Sequence, residues 1–318
     1  MEKEILLELN ISDEDKNLIN LHSFLNILNV LNAEIYYLDI AYKSDVLLTN
    51  LLTNIISISE SLRNKEESFK IVSDIDNFIS LLDSTINKYI EKNNLNEIIE
   101  IIEIKSNISN IIKVLRIRAQ EILSRIGRDE EWRLFYIKDL EYDFNNFFAA
   151  VEKNSKGKYR IVYNIAEHEE KSYLVNLSFN SYFGDKNYIP LVFKDVMRDL
   201  LANARKYTPP GGRITSGLVQ TENELKFVVE DTGLGIPEEE IENCVGFGYR
   251  GTNVTNIVTK GGGFGLTKAY LTTKQFNGRM WIKSELEKGT SIRISIPNGN
   301  IKNKGLKIDP YASRESVL

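Results

Sequence analysis

The sequence predicts an α+β protein with an N-terminal bundle of long helices and a C-terminal part that mixes strands with helices. The first 128 residues contain no proline and a single glycine, Gly127, so nothing in them interrupts long helices. Beyond Arg128, β-rich runs alternate with helical segments, and glycines and prolines recur between them. The length, 318 residues, is that of about two domains.

Composition and charge narrow the class of protein. Hydrophobic residues make up 42% of the chain, which is enough for packed cores. The 40 basic and 45 acidic residues give a net charge of −5, which argues against a dedicated nucleic-acid binder. The single cysteine, Cys244, excludes an intramolecular disulfide and fits a reducing compartment. With no basic-then-apolar leader and no apolar run of ~18 residues, we expect a cytoplasmic protein without a membrane span.

The N-terminal part, residues 1–128, is predicted to form three long helices. Ser12, followed by acidic residues, is a suitable cap for the first of them. Helices over about 66–92 and 95–126 follow. Since none of these helices buries its apolar stripe alone, a bundle is required, within one chain or across a dimer. The residues expected to face inward on the first two helices are Leu18, Leu21, Leu25, Leu28, Asn32, Ile35 and Tyr42, then Phe69, Ile75, Phe78, Leu82 and Ile86.

The C-terminal part, residues 129–298, is predicted to combine sheet and helices, and residues 299–318 form a polar tail. The expected helices cover about 137–153 and 192–206, with a further helix after the glycines near position 265. The expected strands cover about 159–165, 173–179, 226–230, 280–283 and 291–296.

Two segments of this part bring together side chains that suit a phosphorylated, amine-bearing ligand. In DLLANARKYTPPGG (199–212), Asp199 and Asn203 are four residues apart and share a helix face, where they could hold magnesium near a triphosphate. In VVEDTGLGIP (228–237), a buried strand delivers Asp231, whose carboxylate could accept a hydrogen bond from an exocyclic amine. Gly233 and Gly235 would allow close backbone approach.

Two further segments follow in order. GFGYRG (246–251) offers aromatic residues and a cation, Arg250. GGGFGL (261–266) leads into a helix whose first amides suit phosphate. Each segment alone is weak evidence for a nucleotide-binding site, because a glycine-rich loop is more often a tight turn and the aspartates could lie on a solvated surface. Their order and spacing together indicate one binding site.

In this order the four segments resemble the N, G1, F and G2 boxes of the histidine kinase ATPase domain. That domain belongs to the superfamily shared with gyrase, the ninety-kilodalton heat-shock chaperone and the mismatch-repair ATPase. The segments NARKYTPPGG and FNGRMWIKSELEKGTSIRISIP are similar to the corresponding sequences of histidine kinases rather than to those of the other branches. The resemblance covers residues 129–298 and implies an α/β sandwich of the Bergerat ATP-binding type, with helices on one face of a mixed sheet and ATP under a mobile lid.

The resemblance also implies roles for individual residues. Asn203 would bind Mg²⁺, with the carboxylate of Asp199 nearby, although many kinases carry asparagine at the position of Asp199. Asp231 would accept the adenine amino group. The remaining residues implied to touch the nucleotide or to shape the lid over 244–262 are Lys206, Tyr207, Arg250, Gly233, Gly235, Gly261, Gly263, Gly265 and Leu266.

The chain has two histidines, and one of them fits a phosphoacceptor. His22 lies on the first predicted helix with Asn26 four residues on, which resembles the H-x-x-x-N pattern of kinase dimerisation helices. Ser23 and Ile27 depart from that pattern, which has an acidic residue and a proline there. A lone histidine beside an apolar stripe is also typical of a structural residue. His168 lies in a charged turn.

The resemblance implies an ATP- and Mg²⁺-dependent histidine kinase that phosphorylates His22 and passes the phosphoryl group to the receiver domain of a response regulator. It further implies a homodimer through residues 1–128 and a phosphatase role for Asn26, with an input that arrives through an upstream sensor protein or through the additional N-terminal helix. A second hypothesis is a kinase relative that binds ATP without catalysis and docks a regulator. A strand-passage or mismatch-repair ATPase is disfavoured by the wording TPPGG and SELEKGTS.

Overall fold

The protein, seen in a computed structural model, consists of two compact units. The structure describes residues 2–125, 131–155, 157–256 and 262–298. A helical unit contains residues 10–125, and a sheet unit contains residues 2–9 together with most of the described chain beyond residue 130. The predicted polar tail, 299–318, lies outside the described residues.

The helical unit contains five helices: α1 (Asp13–Ala41), α2 (Val46–Ser61), α3 (Lys65–Ser73), α4 (Ile75–Lys92) and α5 (Ile99–Arg125). The predicted cap of α1 is present, since the Ser12 hydroxyl oxygen accepts a hydrogen bond from the Asp15 N–H at 3.1 Å. The helices enclose one apolar core, so the prediction of a helical bundle is confirmed. Within the described ranges, no helix is long and apolar enough to cross a membrane.

Several details of the predicted helices are wrong. Helix α2 was not predicted, and the expected helix over 66–92 is divided into α3 and α4 at Asp74, which has non-helical backbone angles (φ −101°, ψ 18°). Phe69, expected inside, is 49% exposed. On α1, Leu25 and Asn32 are only half-buried. Helix α1 packs against both α2 and α5, so the set of side chains that it buries is broader than the single stripe predicted from the sequence.

The sheet unit is an α/β sandwich, as predicted. Its seven-stranded sheet has the order β1-β8-β9-β7-β6-β4-β3, in which β3–β4 and β4–β6 are parallel and the other pairs are antiparallel. Helices α6 to α8 pack against the sheet around one apolar core. A separate antiparallel ribbon joins β2 to β5. The elements are β1 (Glu2–Glu4), β2 (Trp132–Tyr136), α6 (Ile137–Asn154), β3 (Arg160–Val162), β4 (Ser172–Ser181), β5 (Lys186–Pro190), α7 (Leu191–Tyr207), β6 (Arg213–Gln220), β7 (Glu224–Asp231), α8 (Gly265–Gln275), β8 (Arg279–Glu285) and β9 (Gly289–Pro297).

The N-terminal segment, residues 2–9, belongs to the sheet unit rather than to the helical part in which the sequence analysis placed it. Strand β1 pairs antiparallel with β8, and Ile5 is fully buried. The Ile5 N–H donates to the Met280 carbonyl at 2.9 Å, and the Tyr270 hydroxyl donates to the Leu7 carbonyl at 2.8 Å. Glu4 binds Arg279 across the strand pair. The segment is therefore an integral edge of the sheet.

Replacement of Ile5 by aspartate is expected to lower the free energy of unfolding of the sheet unit by about 3 kcal/mol, because it removes a buried side chain and places a carboxylate in the core. Urea unfolding followed by tryptophan fluorescence measures this, since Trp132 and Trp281 both lie in the sheet unit. The matched control is Leu6→Asp at a side chain that is 65% exposed, where a change within about 0.5 kcal/mol is expected. Equal losses of unfolding free energy for Ile5→Asp and Leu6→Asp would contradict the packing of this segment against the sheet.

Candidate functional site

A pocket opens in the sheet unit between α7, the end of β7 and the start of α8. The empty space between its walls, including the open mouth, is about 700 Å³. Six of the residues singled out from the sequence line it: Asn203, Tyr207, Asp231, Gly235, Arg250 and Leu266. The fold thus brings segments from all four predicted motifs to one cavity.

One side of the pocket is apolar. Leu200, Val229, Ile236 and Ile292 line it, which suits the faces of a flat aromatic ring. Cys244 is also part of the lining and is buried, as expected of a small apolar residue. Burial raises the pKa of the Cys244 thiol to about 12, so this side chain is neutral at physiological pH.

Asp231 supplies a buried carboxylate at the end of β7. Burial raises its pKa to about 6, against the opposing effect of hydrogen bonds from the Gly233 and Thr290 backbone N–H groups and the Thr208 hydroxyl. The Gly233 N–H donates to Asp231 Oδ1 at 2.8 Å. Asp231 is therefore ionised at neutral pH, where it acts only as a hydrogen-bond acceptor. Such a group selects ligands that present an N–H to it.

The glycines beside Asp231 are required by backbone packing. A Cβ on Gly233 would lie 2.4 Å from the Tyr207 carbonyl oxygen, and one on Gly235, which has φ +70°, would lie 2.1 Å from the Glu285 carbonyl oxygen. Gly233 is not part of the pocket lining, whereas Gly235 is. The turn after β7 is thus packed tightly against α7 and β8, which fixes the position of the Asp231 carboxylate.

Helix α7 and the start of α8 also contribute to the pocket lining. Asn203 lies on α7 and lines the pocket. A Cβ on Gly265 would come within 2.9 Å of Asn203 Nδ2, so glycine there lets the first turn of α8 approach this side chain. Gly263, with φ +80°, forms the turn before α8. Gly261 lies outside the described residues.

Asp199 does not line the pocket. Its Oδ2 atom lies 3.5 Å from the ammonium of Lys268, which is 2% exposed and lies in the first turn of α8. The sequence analysis did not single out Lys268. The available signal was a lysine three residues after Gly265, in a turn whose other residues pack inward.

Of the two cations expected near phosphate, Arg250 is part of the pocket lining and Lys206 is not. Arg250 lines the pocket, and its Nη2 donates to the Val254 carbonyl at 3.3 Å. The Lys206 ammonium lies 4.7 Å from the ring centroid of Tyr207. Both side chains are thereby oriented by neighbouring residues.

The described part of the predicted lid is anchored by residues that the sequence analysis missed. The carboxylate of Glu240, which is 8% exposed, accepts hydrogen bonds from the Thr252 N–H (3.1 Å) and hydroxyl. These bonds hold the pKa of Glu240 below its usual range. The Asn253 amide donates to the Gly235 carbonyl at 2.9 Å. The loop that carries Arg250 is therefore attached to the turn beside Asp231.

The donor set fits magnesium in a limited way. Among the described residues, no group of three or more His, Cys, Asp or Glu side chains could hold a metal ion. Asn203 contributes one amide oxygen, which suits Mg²⁺ because this ion keeps several waters and takes most remaining ligands from substrate phosphates. Asp199, already in contact with Lys268, is one helical turn away.

The raised pKa of Asp231 predicts a pH-dependent stability. A folded-state pKa of about 6, above the ordinary 3.8, means that the folded state binds more protons between these values, so stability falls as pH rises through this window. We expect Asp231→Asn to gain stability over the native protein from pH 4 to pH 7, by up to about 3 kcal/mol. Urea unfolding at several pH values measures this difference. A stability gain that shrinks with rising pH would contradict a raised pKa of Asp231 in the folded state.

Comparison with known proteins identifies this site. The family model described as histidine kinase-, DNA gyrase B-, and HSP90-like ATPase matches residues 189–300, which span α7 to β9. The sensor histidine kinase RppB of Synechocystis is 30% identical over 179 residues, which are 55% of this chain and 36% of RppB. The chain thus contains an ATPase domain of the type found in histidine kinases. Its ATPase domain contains the pocket described above.

Other histidine kinases match the same domain. SasA of Synechococcus is 35% identical over 109 residues, which are 34% of this chain and 28% of SasA. WalK of Bacillus subtilis is 34% identical over 104 residues, 32% of this chain and 17% of WalK. The catalytic domain of the histidine kinase ThkA superposes with a TM-score of 0.38 at 19% identity, over 52% of this chain and 95% of that domain. The chain spans about a third or less of the length of these curated relatives.

Proposed function

We propose that this protein is an ATP-dependent histidine kinase that phosphorylates His22 and passes the phosphoryl group to an aspartate of a response-regulator receiver domain. The observation that carries the proposal is the set of polar side chains that line the pocket of the ATPase domain. A buried carboxylate, Asp231, lines this pocket together with an amide, Asn203, and a cation, Arg250. This arrangement is complementary to an adenine base and to a magnesium triphosphate.

The adenine end of the proposed complex rests on Asp231 and on the apolar lining. The exocyclic amine of adenine donates to the Asp231 carboxylate, and the apolar side chains Val229, Ile236 and Ile292 pack against the base. Tyr207 lies beside the nucleotide. Adenine would thereby be preferred over bases that present a carbonyl at the same position.

The triphosphate end rests on Asn203, Arg250, Lys206 and the start of α8. Asn203 would hold Mg²⁺, and this ion would supply positive charge to offset that of the transferring phosphoryl group. Arg250 and Lys206 contribute positive charge, and the first amides of α8, at Gly265 and Leu266, are available as donors to phosphate oxygens. These groups stabilise the negative charge of ATP and of the transition state.

His22, the proposed phosphoacceptor, lies on α1 in the helical unit and is 8% exposed. Its Nδ1 lies 2.9 Å from the Ile19 carbonyl oxygen; since a carbonyl only accepts, Nδ1 carries a proton and Nε2 is the nucleophile of the neutral ring. In the proposed step, an Nε2–P bond forms, the bond from the γ-phosphorus to the bridging oxygen breaks, and ADP leaves. The low exposure means that His22 must become accessible before transfer.

Further parts of the proposal concern partners. The helical unit forms a homodimer and docks the receiver domain, an upstream sensor protein supplies the input, and the protein acts in the cytoplasm. Asn26, half-buried four residues after His22 on α1, assists hydrolysis of the aspartyl phosphate. A second candidate, a regulator-docking protein that binds ATP without catalysis, is favoured by the burial of His22.

The test is incorporation of γ-labelled phosphate from Mg-ATP into the purified chain, with ATP binding measured in parallel. A histidine kinase acquires a label that is stable in base and lost in acid. ATP binding without any label overturns the kinase and leaves the docking protein. Absence of ATP binding overturns both functions.

A further inference from the structure

The most unusual group in the ATPase domain outside the pocket lining is a buried lysine. Lys268 is 2% exposed, and its ammonium lies 3.4 Å from Asp195 Oδ2 and 3.5 Å from Asp199 Oδ2. A buried ammonium is retained only where carboxylates compensate its desolvation. Arg198 adds a weaker contact, at 3.9 Å, to the other oxygen of Asp195.

The position of this ion pair links it to the proposed magnesium ligand. Asp195, Asp199 and Asn203 follow at intervals of four residues on α7 and share one face, so consecutive members lie about 6 Å apart along the helix axis. Asp199 is therefore the carboxylate next to Asn203, and Asp195 is about 12 Å away. A carboxylate one helical turn from a bound cation is attracted to it, so the contacts that orient this carboxylate affect how the ion is bound.

The first turn of α8 holds several parts of the site together. Gly265 contacts Asn203, the Thr267 hydroxyl donates to the Gly246 carbonyl at 2.8 Å, and Lys268 binds Asp199. The ammonium of Lys268 thus comes from the same helical turn that approaches the magnesium ligand. Its contact with Asp199 directs that carboxylate toward α8.

We propose that Lys268 is a positioning residue that holds the Asp199 carboxylate out of the magnesium coordination sphere, so that Asn203 is the protein ligand of the ion. The inference rests on the proposed function of this pocket as an ATP site. Without the ammonium, Asp199 turns toward the cation and becomes a second, charged ligand. Nucleotide binding then depends much more strongly on magnesium.

The experiment measures, in the full chain, the ratio of the ATP dissociation constant in excess EDTA to that in saturating Mg²⁺. We expect Lys268→Met to raise this ratio about tenfold when residue 199 is aspartate, because a carboxylate ligand adds affinity for the ion and repels bare ATP. In an Asp199→Asn background, the same substitution is expected to change the ratio by about twofold at most. Lys274→Met, at an exposed lysine of the same helix, is the matched control and should leave the ratio unchanged.

The outcomes separate this inference from the proposed function and from a purely structural role. If the native chain binds no ATP, the proposed function fails. If the native chain binds ATP and Lys268→Met changes the ratio equally in both backgrounds, or lowers only the melting temperature, the inference is overturned. If Lys268→Met does not fold, the Asp199→Asn chain is compared with and without Lys268→Met, and a tenfold difference in the ratio between these two overturns it.

A second double-mutant comparison, with Asp195→Asn in place of Asp199→Asn, tests whether the effect is specific to Asp199. Asp195 also binds Lys268 but lies a further turn from Asn203. The tenfold effect of Lys268→Met is expected to persist in the Asp195→Asn background and to disappear only with Asp199→Asn. Loss of the effect in both backgrounds would show a general response to charge and would contradict a specific role for Asp199.

Discussion

Substitution of Asp231 by alanine is expected to weaken ATP binding about 100-fold. Hydrogen bonds to charged groups contribute about 1.5–3 kcal/mol, and the loss of such a bond in a buried pocket leaves the adenine amine without an acceptor. Titration with a fluorescent ATP analogue or calorimetry measures this loss. The adjacent Glu230, which is exposed on β7, supplies the control Glu230→Ala, expected to bind ATP within about twofold of the native protein.

A change of ligand tests the same contact from the other side. Inosine triphosphate has a carbonyl in place of the adenine amine, so the native protein is expected to bind it about 100-fold more weakly than ATP. The Asp231→Ala variant should bind the two nucleotides nearly equally. Retention of the native preference for ATP in this variant would show that another group reads the base.

The pKa of about 6 at Asp231 adds a pH dependence to this contact. Binding of the adenine amine requires the ionised carboxylate, so ATP affinity is expected to be constant above pH 7 and to fall about tenfold for each pH unit below 6. The same ionisation costs stability in the ATP-free protein, as described above. If the proposed function is correct, the ionised Asp231 carboxylate lowers the stability of the ATP-free fold and binds the base.

Substitution of His22 by glutamine is expected to abolish phosphoryl transfer to the protein, because it removes the nitrogen nucleophile while keeping a polar side chain of similar size. ATP affinity should stay within about twofold of the native value, since the pocket lies in the other unit. Labelling with γ-labelled ATP and a binding titration on the same preparation measure both quantities.

The second histidine of the chain provides the control for this prediction. His168, in the turn before β4 of the sheet unit, is replaced by glutamine, and full labelling is expected. An acid-labile label that survives in His22→Gln would show that His22 is not the acceptor. Loss of ATP binding in that variant would instead show that the substitution disturbs the whole chain.

The sequence by itself determined the elements whose causes are local. The turn at Gly235 requires glycine, because any side chain there would clash with backbone. The hydroxyl of Ser12 caps α1 by a hydrogen bond to an N–H three residues later in the chain. Asp231 was recognisable because a buried strand ends there and a glycine turn follows at once. The order of these short segments sufficed to predict an ATP-binding sandwich of the histidine kinase type.

Only the tertiary structure decided the features whose causes lie far apart in the chain. Strand β1 pairs with a strand about 280 residues later, so its three residues carry no periodicity that reveals it. Lys268 is an ordinary helical lysine in the sequence and becomes a buried cation because α7 places two carboxylates against it. His22 likewise lies beside an apolar seam in the sequence. Only the packing of other helices around α1 determines that its ring is buried. Local sequence fixes backbone geometry, whereas burial and ion pairing depend on which distant residues the fold brings together.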